Sequence, residues 1–234
     1  MKALALLMLL SSEDPRLQGS AFMGPELRQM QQDEAANPAM LAVLDGADEW
    51  KKSCQSCHGD AAVSMRGVAV RYPAFDAKTN RPISLGARII RCKGGAWKPE
   101  SAELLAMEAF VGKQSRGMPL AQVDDPELAP WLKQGESLYN RRAGQLDLSC
   151  ADCHDANWGK SLGGSTIPQA HPTGYPIYRL EWQAVGSLQR RLRNCISGMR
   201  AIVPPYESDP LLELALYLRQ RAAGMVSETP GVRP

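Results

Sequence analysis

Cys54-Gln-Ser-Cys-His58 recurs downstream as Cys150-Ala-Asp-Cys-His154, and the chemistry of this five-residue pattern decides the fold. Two thiols separated by two residues can add to the two vinyl groups along one edge of a porphyrin, and the histidine that follows then ligates the iron from below. A redox dithiol or a four-cysteine zinc site would use the cysteines alone. Both leave His58 and His154 without a purpose. The pattern therefore predicts two covalently bound c-type haems, with Cys54, Cys57, Cys150 and Cys153 as attachment thiols and His58 and His154 as iron ligands.

The sequence around the two motifs is duplicated. GADEW, from Gly46 to Trp50, answers GESLY, from Gly135 to Tyr139, and Tyr72-Pro73 answers Tyr175-Pro176. SLGARIIRC, ending at Cys92, answers SLQRRLRNC, ending at Cys195. SAELLAMEAFVG from Ser101 answers SDPLLELALYLR from Ser208, and a Gly-Met pair follows each, Gly117-Met118 and Gly224-Met225. Leu104, Leu105 and Phe110 in the first of these segments, and Leu211, Leu214, Tyr217 and Leu218 in the second, have helical spacing. Each unit reads as helix, haem motif, wrapping loop, short helix ending in Cys, and terminal helix, the order of a class I cytochrome c domain. The predicted fold is mainly α, with two tandem class I cytochrome c-like domains related by internal duplication, residues 40–125 with haem 1 and 126–234 with haem 2 and the active site. Residues 13–39 form an N-terminal extension. Asp124-Asp125-Pro126 and Pro130 supply a linker, and the second unit alone carries RRAGQLDLS before its motif and WGKSLGGSTIPQAHPTG after it.

Bulk properties bound the rest. The 234 residues carry a formal net charge of +2, too small for a nucleic-acid binder. MKALALLMLLSS is an apolar run far shorter than a bilayer span, and residues 1–12 read as a short or truncated signal peptide. The expectation is a periplasmic protein without membrane insertion.

Each c-type iron has a second face, where Met is the usual electron-transfer ligand and His the next. His171 is the one spare histidine, and the first unit has none to match it. Met118 and Met225 match each other but lie beyond the terminal helices; Met199 suits only the second haem. Cys92 and Cys195 alone stand at the distal position in both units, which makes them the predicted second ligands. The competing readings are a Cys92–Cys195 disulfide or two buried thiols. Around Cys195 the string RRLRNCISGMR places Arg190, Arg191, Arg193 and Arg200. On a helix, Arg191 lies one turn before Cys195 on the same face, where its forked donors suit either a haem propionate or a small oxyanion.

CQSCHG, RYPAF, QSRGMPL, LSCADCHD, GYPIYRLEW, GSLQRRLRNCISGMRA and ETPGVR together resemble the SoxA family, the dihaem subunits of the SoxAX cytochromes of bacterial thiosulfate oxidation. The resemblance runs from about Pro25 to the C-terminus. It implies an L-cysteine S-thiosulfotransferase that conjugates thiosulfate oxidatively to a carrier-protein cysteine on SoxYZ, with electrons leaving through haem to a SoxX cytochrome partner. It also implies that Cys195 is both persulfide nucleophile and iron ligand, that Cys92 ligates the first iron, and that Arg191 binds substrate. The alternatives are a dihaem electron carrier whose cysteines only tune potential, and a dihaem peroxidase, which two cysteine ligands fit poorly.

Overall fold

The computed structural model describes residues 14–234; the expected signal peptide at 1–12 lies outside them. The first α-helix among the described residues is α1 (Pro25–Gln32), and the first half then runs α2 (Ala39–Ser53), α3 (Gln55–His58), α4 (Ala61–Ser64), the strand pair β1 (Ala74–Asp76) and β2 (Arg81–Ile83), α5 (Leu85–Cys92) and α6 (Ala102–Lys113). The second half repeats the order with α7 (Ala129–Asn140), α8 (Cys150–His154), a small hairpin β3 (Ser161–Leu162) and β4 (Ser165–Thr166), the pair β5 (Ile177–Arg179) and β6 (Ala184–Gly186), α9 (Leu188–Gly198), α10 (Asp209–Arg221) and β7 (Gly231–Arg233). The duplicated order and the mainly helical class are those expected from the sequence.

In each half the first and last helices cross, α2 on α6 and α7 on α10, and a glycine sets how closely. A Cβ on Gly46 would sit 2.2 Å from the Ala106 carbonyl oxygen, and one on Gly135 would sit 2.1 Å from that of Glu213. No side chain fits at either crossing. Apolar residues spaced along these helices then close a core over each haem motif. Trp50, Ala61, Met107 and Val111 cluster in the first half, and Tyr139, Leu192, Leu211, Leu214 and Leu218 in the second. The Trp50 indole donates to the Gly59 carbonyl at 3.2 Å, and the Tyr139 hydroxyl to Asp155 at 2.9 Å. These acceptors are the residues directly after the two motif histidines. The aromatic ring at this repeat position therefore ties the first helix of each half to the end of its haem motif.

Ser84 and Ser187 cap α5 and α9 identically, each hydroxyl accepting the backbone N–H three residues on, which satisfies an otherwise orphaned donor. The two helices end differently, and one expectation needs correction. The first ends at Cys92, because Gly94 and Gly95 have positive φ and stop the helix in the left-handed conformation that glycine tolerates. The second continues to Gly198, which leaves Cys195 inside the helix rather than at its end.

The two Gly-Met segments pair with one another. Gly117 N–H donates to the Ser227 carbonyl and Gly224 N–H to that of Leu120, at 2.9 and 2.8 Å; Ser227 N–H donates to Met118 and Leu120 N–H to Met225, both at 2.9 Å. The bonds come in two equivalent pairs related by the repeat. Met118 and Met225 thus lie at the junction of the halves, Met225 packed with Leu120 and Ala222. The chain closes with β7 parallel to β5, and α1 packs against β7, with Gln31 accepting the Val232 N–H at 2.9 Å.

Candidate active site

The second haem motif opens onto a cavity lined by His154, Cys195, Arg191, Arg179 and Tyr175, with Phe22 and Met23 of the N-terminal extension on one side. α8 is set by a capping box: Ser149 accepts the Asp152 N–H, and Asp152 reaches back to the Ser149 N–H, which satisfies two orphan donors reciprocally. His154 follows at the end of this helix. Its Nδ1 lies 2.6 Å from the Pro168 carbonyl oxygen, so Nδ1 carries the proton and Nε2 is left free as a ligand. Pro168 belongs to the insertion that the first half lacks. Among the described residues, the His58 ring has no such bond.

Cys195 faces His154 across this cavity, within hydrogen-bonding reach. Burial acts to raise its thiol, but the contact with His154 and the charges of Arg191 and Arg179 outweigh it and hold the thiol below its ordinary value. Cys150 is pushed up to about 11, chiefly by burial and then by the charge of Cys195. A free imidazole Nε2 opposite a thiolate-forming sulfur, beside two cysteines on one helical turn, is a donor set that fits a c-type haem.

The arginines around Cys195 separate by role. Arg190 lies 4.3 Å over the Trp182 ring, and Arg193 lies 4.3 Å over Tyr206 while donating to the Pro204 carbonyl. Arg200 is exposed, in the turn after α9. Only Arg191 of this string lines the cavity with Cys195, and among the described residues its guanidinium has no hydrogen bond or ion pair. The structure adds Arg179, which the sequence reading missed. The signal was available: counting on from the matched Tyr-Pro pairs places Arg179 opposite Asp76 in the repeat.

The first half is built otherwise. Cys92 and His58 are exposed, Cys54 is partly buried and Cys57 exposed. Beside Cys92, Lys93 is held by Glu49 at 3.1 Å and lies 4.8 Å over Trp97. Arg88, the repeat partner of Arg191, is paired with Asp76 at 3.3 Å, and Arg91 with the same carboxylate at 2.8 Å. All six cysteines are free, so the disulfide alternative between Cys92 and Cys195 is not realised. His171 lines the cavity of Cys195 and His154, with its Nδ1 2.9 Å from the Leu17 carbonyl oxygen. Met199 does not line that cavity; its carbonyl turns to the 142–148 loop, accepting from Leu146 at 3.4 Å.

The family model for the SoxA/TsdA cytochrome c domain matches this chain twice, at residues 45–120 and 134–226. The chain belongs to the SoxA/TsdA cytochrome c family. It is 38% identical over 94% of its length to the L-cysteine S-thiosulfotransferase subunit SoxA of Pseudaminobacter salicylatoxidans, covering 82% of that protein. The identity is 31% with the SoxA subunit of Paracoccus pantotrophus, over 92% of this chain and 78% of the relative. A chain in the crystal structure of SoxXA from P. pantotrophus superposes with a TM-score of 0.89 at 30% identity, covering 94% of this chain and 87% of that one. As a SoxA-type chain it is a dihaem c-type cytochrome, which agrees with its two attachment motifs. Among the described residues, no helix is long and apolar enough to cross a membrane.

Proposed function

We propose that this chain joins thiosulfate oxidatively to a cysteine of a SoxYZ-type carrier protein in the periplasm, as the thiosulfotransferase subunit of a heterodimer with a SoxX-type cytochrome. The observation that carries this reading is the convergence of Cys195, His154 and Arg191 on one cavity. In the reading, residues 40–125 and 126–234 form the two cytochrome units; Cys54, Cys57 and His58 would hold one haem and Cys150, Cys153 and His154 the other, and Cys92 and Cys195 would each supply a further iron ligand. When bound, the second haem supplies a one-electron acceptor beside the sulfur.

Arg191 holds the thiosulfate dianion, and its fork matches two oxygens of the sulfonate end. This leaves the sulfane sulfur directed at Cys195. A bond forms between the Cys195 sulfur, as thiolate or as the persulfide that the family resemblance implies, and that sulfane sulfur, and two electrons pass one at a time to the oxidised SoxX-type cytochrome partner. The carrier cysteine, as thiolate, then attacks the sulfane sulfur; the bond to Cys195 breaks and Cys195 departs as the anion. In sum a carrier thiolate and a thiosulfate dianion become a thiosulfonate-bearing cysteine and two electrons. The charges that lower the Cys195 thiol favour its departure, since a more stable anion is the better leaving group.

Incubating the holoprotein with thiosulfate, an oxidised cytochrome acceptor and an acceptor cysteine peptide tests this. The peptide should gain a thiosulfonate group as two equivalents of cytochrome are reduced. Electron transfer with no peptide adduct would identify a carrier without a substrate site.

A further inference from the structure

The two halves hold the same arginine in opposite surroundings, and this difference points to a ligand. In the first half, Asp76 at the end of β1 is buried and accepts from Arg88, Arg91 and Thr79; its carboxyl is held well below the usual carboxylate range, by the Arg91 bond first. The anion that these guanidiniums require is a side chain. In the second half Arg191 replaces Arg88, Asn194 replaces Arg91, and the strand position of Asp76 holds Arg179. The carboxylate has become a second cation, and both arginines line the cavity that contains Cys195.

Arg179 is built into its place. Its side chain is only 8% exposed; one terminal nitrogen reaches Glu181 at 2.8 Å, and the guanidinium lies 5.2 Å from the Trp182 ring. Its Nε is buried and, among the described residues, has no partner. Two like charges close together in a partly buried site are unfavourable unless an anion joins them, and a buried donor without an acceptor has a cost of its own. A dianion with several oxygens relieves both.

We propose that Arg179 and Arg191 form a two-guanidinium seat for the thiosulfate dianion, created where an arginine takes the strand position that Asp76 holds in the first half. This rests on the functional reading above and adds to it a second binding residue. It also explains why the first half, with the same helix and the same cysteine position, does not hold this anion: Asp76 already occupies its arginines. Haem propionates are the other oxyanions near such a site, and the test must separate them from substrate.

Thiosulfate affinity is measured by calorimetry on the Cys195→Ser holoprotein, which cannot turn over, and again after adding Arg179→Gln, Arg179→Lys or Arg179→Asp. Haem content and the midpoint potentials of both haems are measured for the same Arg179 variants with Cys195 intact. The expected result is a loss of affinity of about tenfold or more for Arg179→Gln, a partial loss for Arg179→Lys, and the largest for Arg179→Asp, which restores the ion pair of the first half. Haem content should not change, and Arg179→Lys, which keeps the charge that acts on Cys195, should leave the second-haem potential in place while affinity falls. Unchanged affinity in Arg179→Gln overturns the seat, and a shifted second-haem potential with unchanged affinity assigns Arg179 to a propionate. No thiosulfate binding by the Cys195→Ser parent overturns the functional reading together with the seat. Should Arg179→Gln lose haem, Arg179→Lys decides: weakened binding with full haem content supports the seat, and full affinity overturns it.

Discussion

His154 donates through Nδ1 to the carbonyl oxygen of Pro168 at 2.6 Å, a bond absent from His58 among the described residues. Such a bond fixes the ring and makes the opposite nitrogen a stronger donor to iron, which favours the ferric state. The β3–β4 hairpin supports Pro168 through the paired backbone bonds of Gly159 with Ile167 and Ile167 with Lys160. Removing Ser161 to Thr166 should therefore raise the potential of the second haem. The first haem is the internal control, and a redox titration that moves both equally would count against this link.

Gly135 and Gly46 should not tolerate a methyl group. With a Cβ only 2.1 or 2.2 Å from a carbonyl oxygen of the facing helix, Gly135→Ala and Gly46→Ala must push the helix pairs apart, costing about 1–3 kcal/mol or more. Thermal unfolding measures this. Gly198→Ala is the control, since nothing lies within 4 Å of its added Cβ; it should be neutral or slightly stabilising.

Cys195 and Cys92 should behave differently. Cys195→Ser should abolish transfer, since an alcohol can form neither a persulfide nor a thiosulfonate. Cys92→Met should change the spectrum and raise the potential of the first haem, because a thioether replaces an anionic ligand, while leaving most turnover intact. Loss of nearly all transfer in Cys92→Met, with the second haem undisturbed, would contradict this division.

Arg191→Lys keeps the charge but loses the fork. The apparent KM for thiosulfate should rise by roughly tenfold, about 1.4 kcal/mol, with normal haem content. Normal turnover together with a shifted haem potential would make Arg191 a propionate partner.

Glu108 gives stability a pH dependence. It lines a cavity between the halves with Glu100 and Glu207, and burial, followed by the charges of those two residues, pushes its carboxyl from 4.5 up to about 8. Between these values the unfolded chain releases a proton that the folded chain keeps, so stability is lost as pH rises through the window. Glu108→Gln removes this loss. Its melting temperature should match the parent near pH 4 and exceed it increasingly up to about pH 8; a constant offset at every pH would refute the assignment.

The repeat made most of the helices legible, because haem attachment imposes a fixed spacing and the helices on either side have apolar faces at helical period. The same register pointed to Cys195 and Arg191. It did not settle Met118 and Met225, whose pairing across the junction is a contact between distant backbone segments with no signature in side-chain pattern. Arg190, Arg193 and Arg200 were equally opaque, since a run of arginines on one helix does not say which meet an aromatic ring and which line a cavity. Arg179 was reachable by extending the alignment three residues past the Tyr-Pro pairs, but a lone arginine on a strand carries no signal until Asp76 is set beside it.

The four backbone bonds that join Gly117 and Leu120 to Ser227 and Gly224, and their neighbours Met118 and Met225, are self-complementary: each half offers the other the same edge. That is the geometry of a twofold dimer of identical subunits, contained here within a single polypeptide. Two identical chains meeting along this edge would have to carry the same residue at the strand position of Asp76 and Arg179. They would then possess two anion-accepting sites or none. Continuity of the chain removes that constraint, so two copies of one scaffold can face each other along this edge while one carries Asp76 and the other Arg179 at the same strand position.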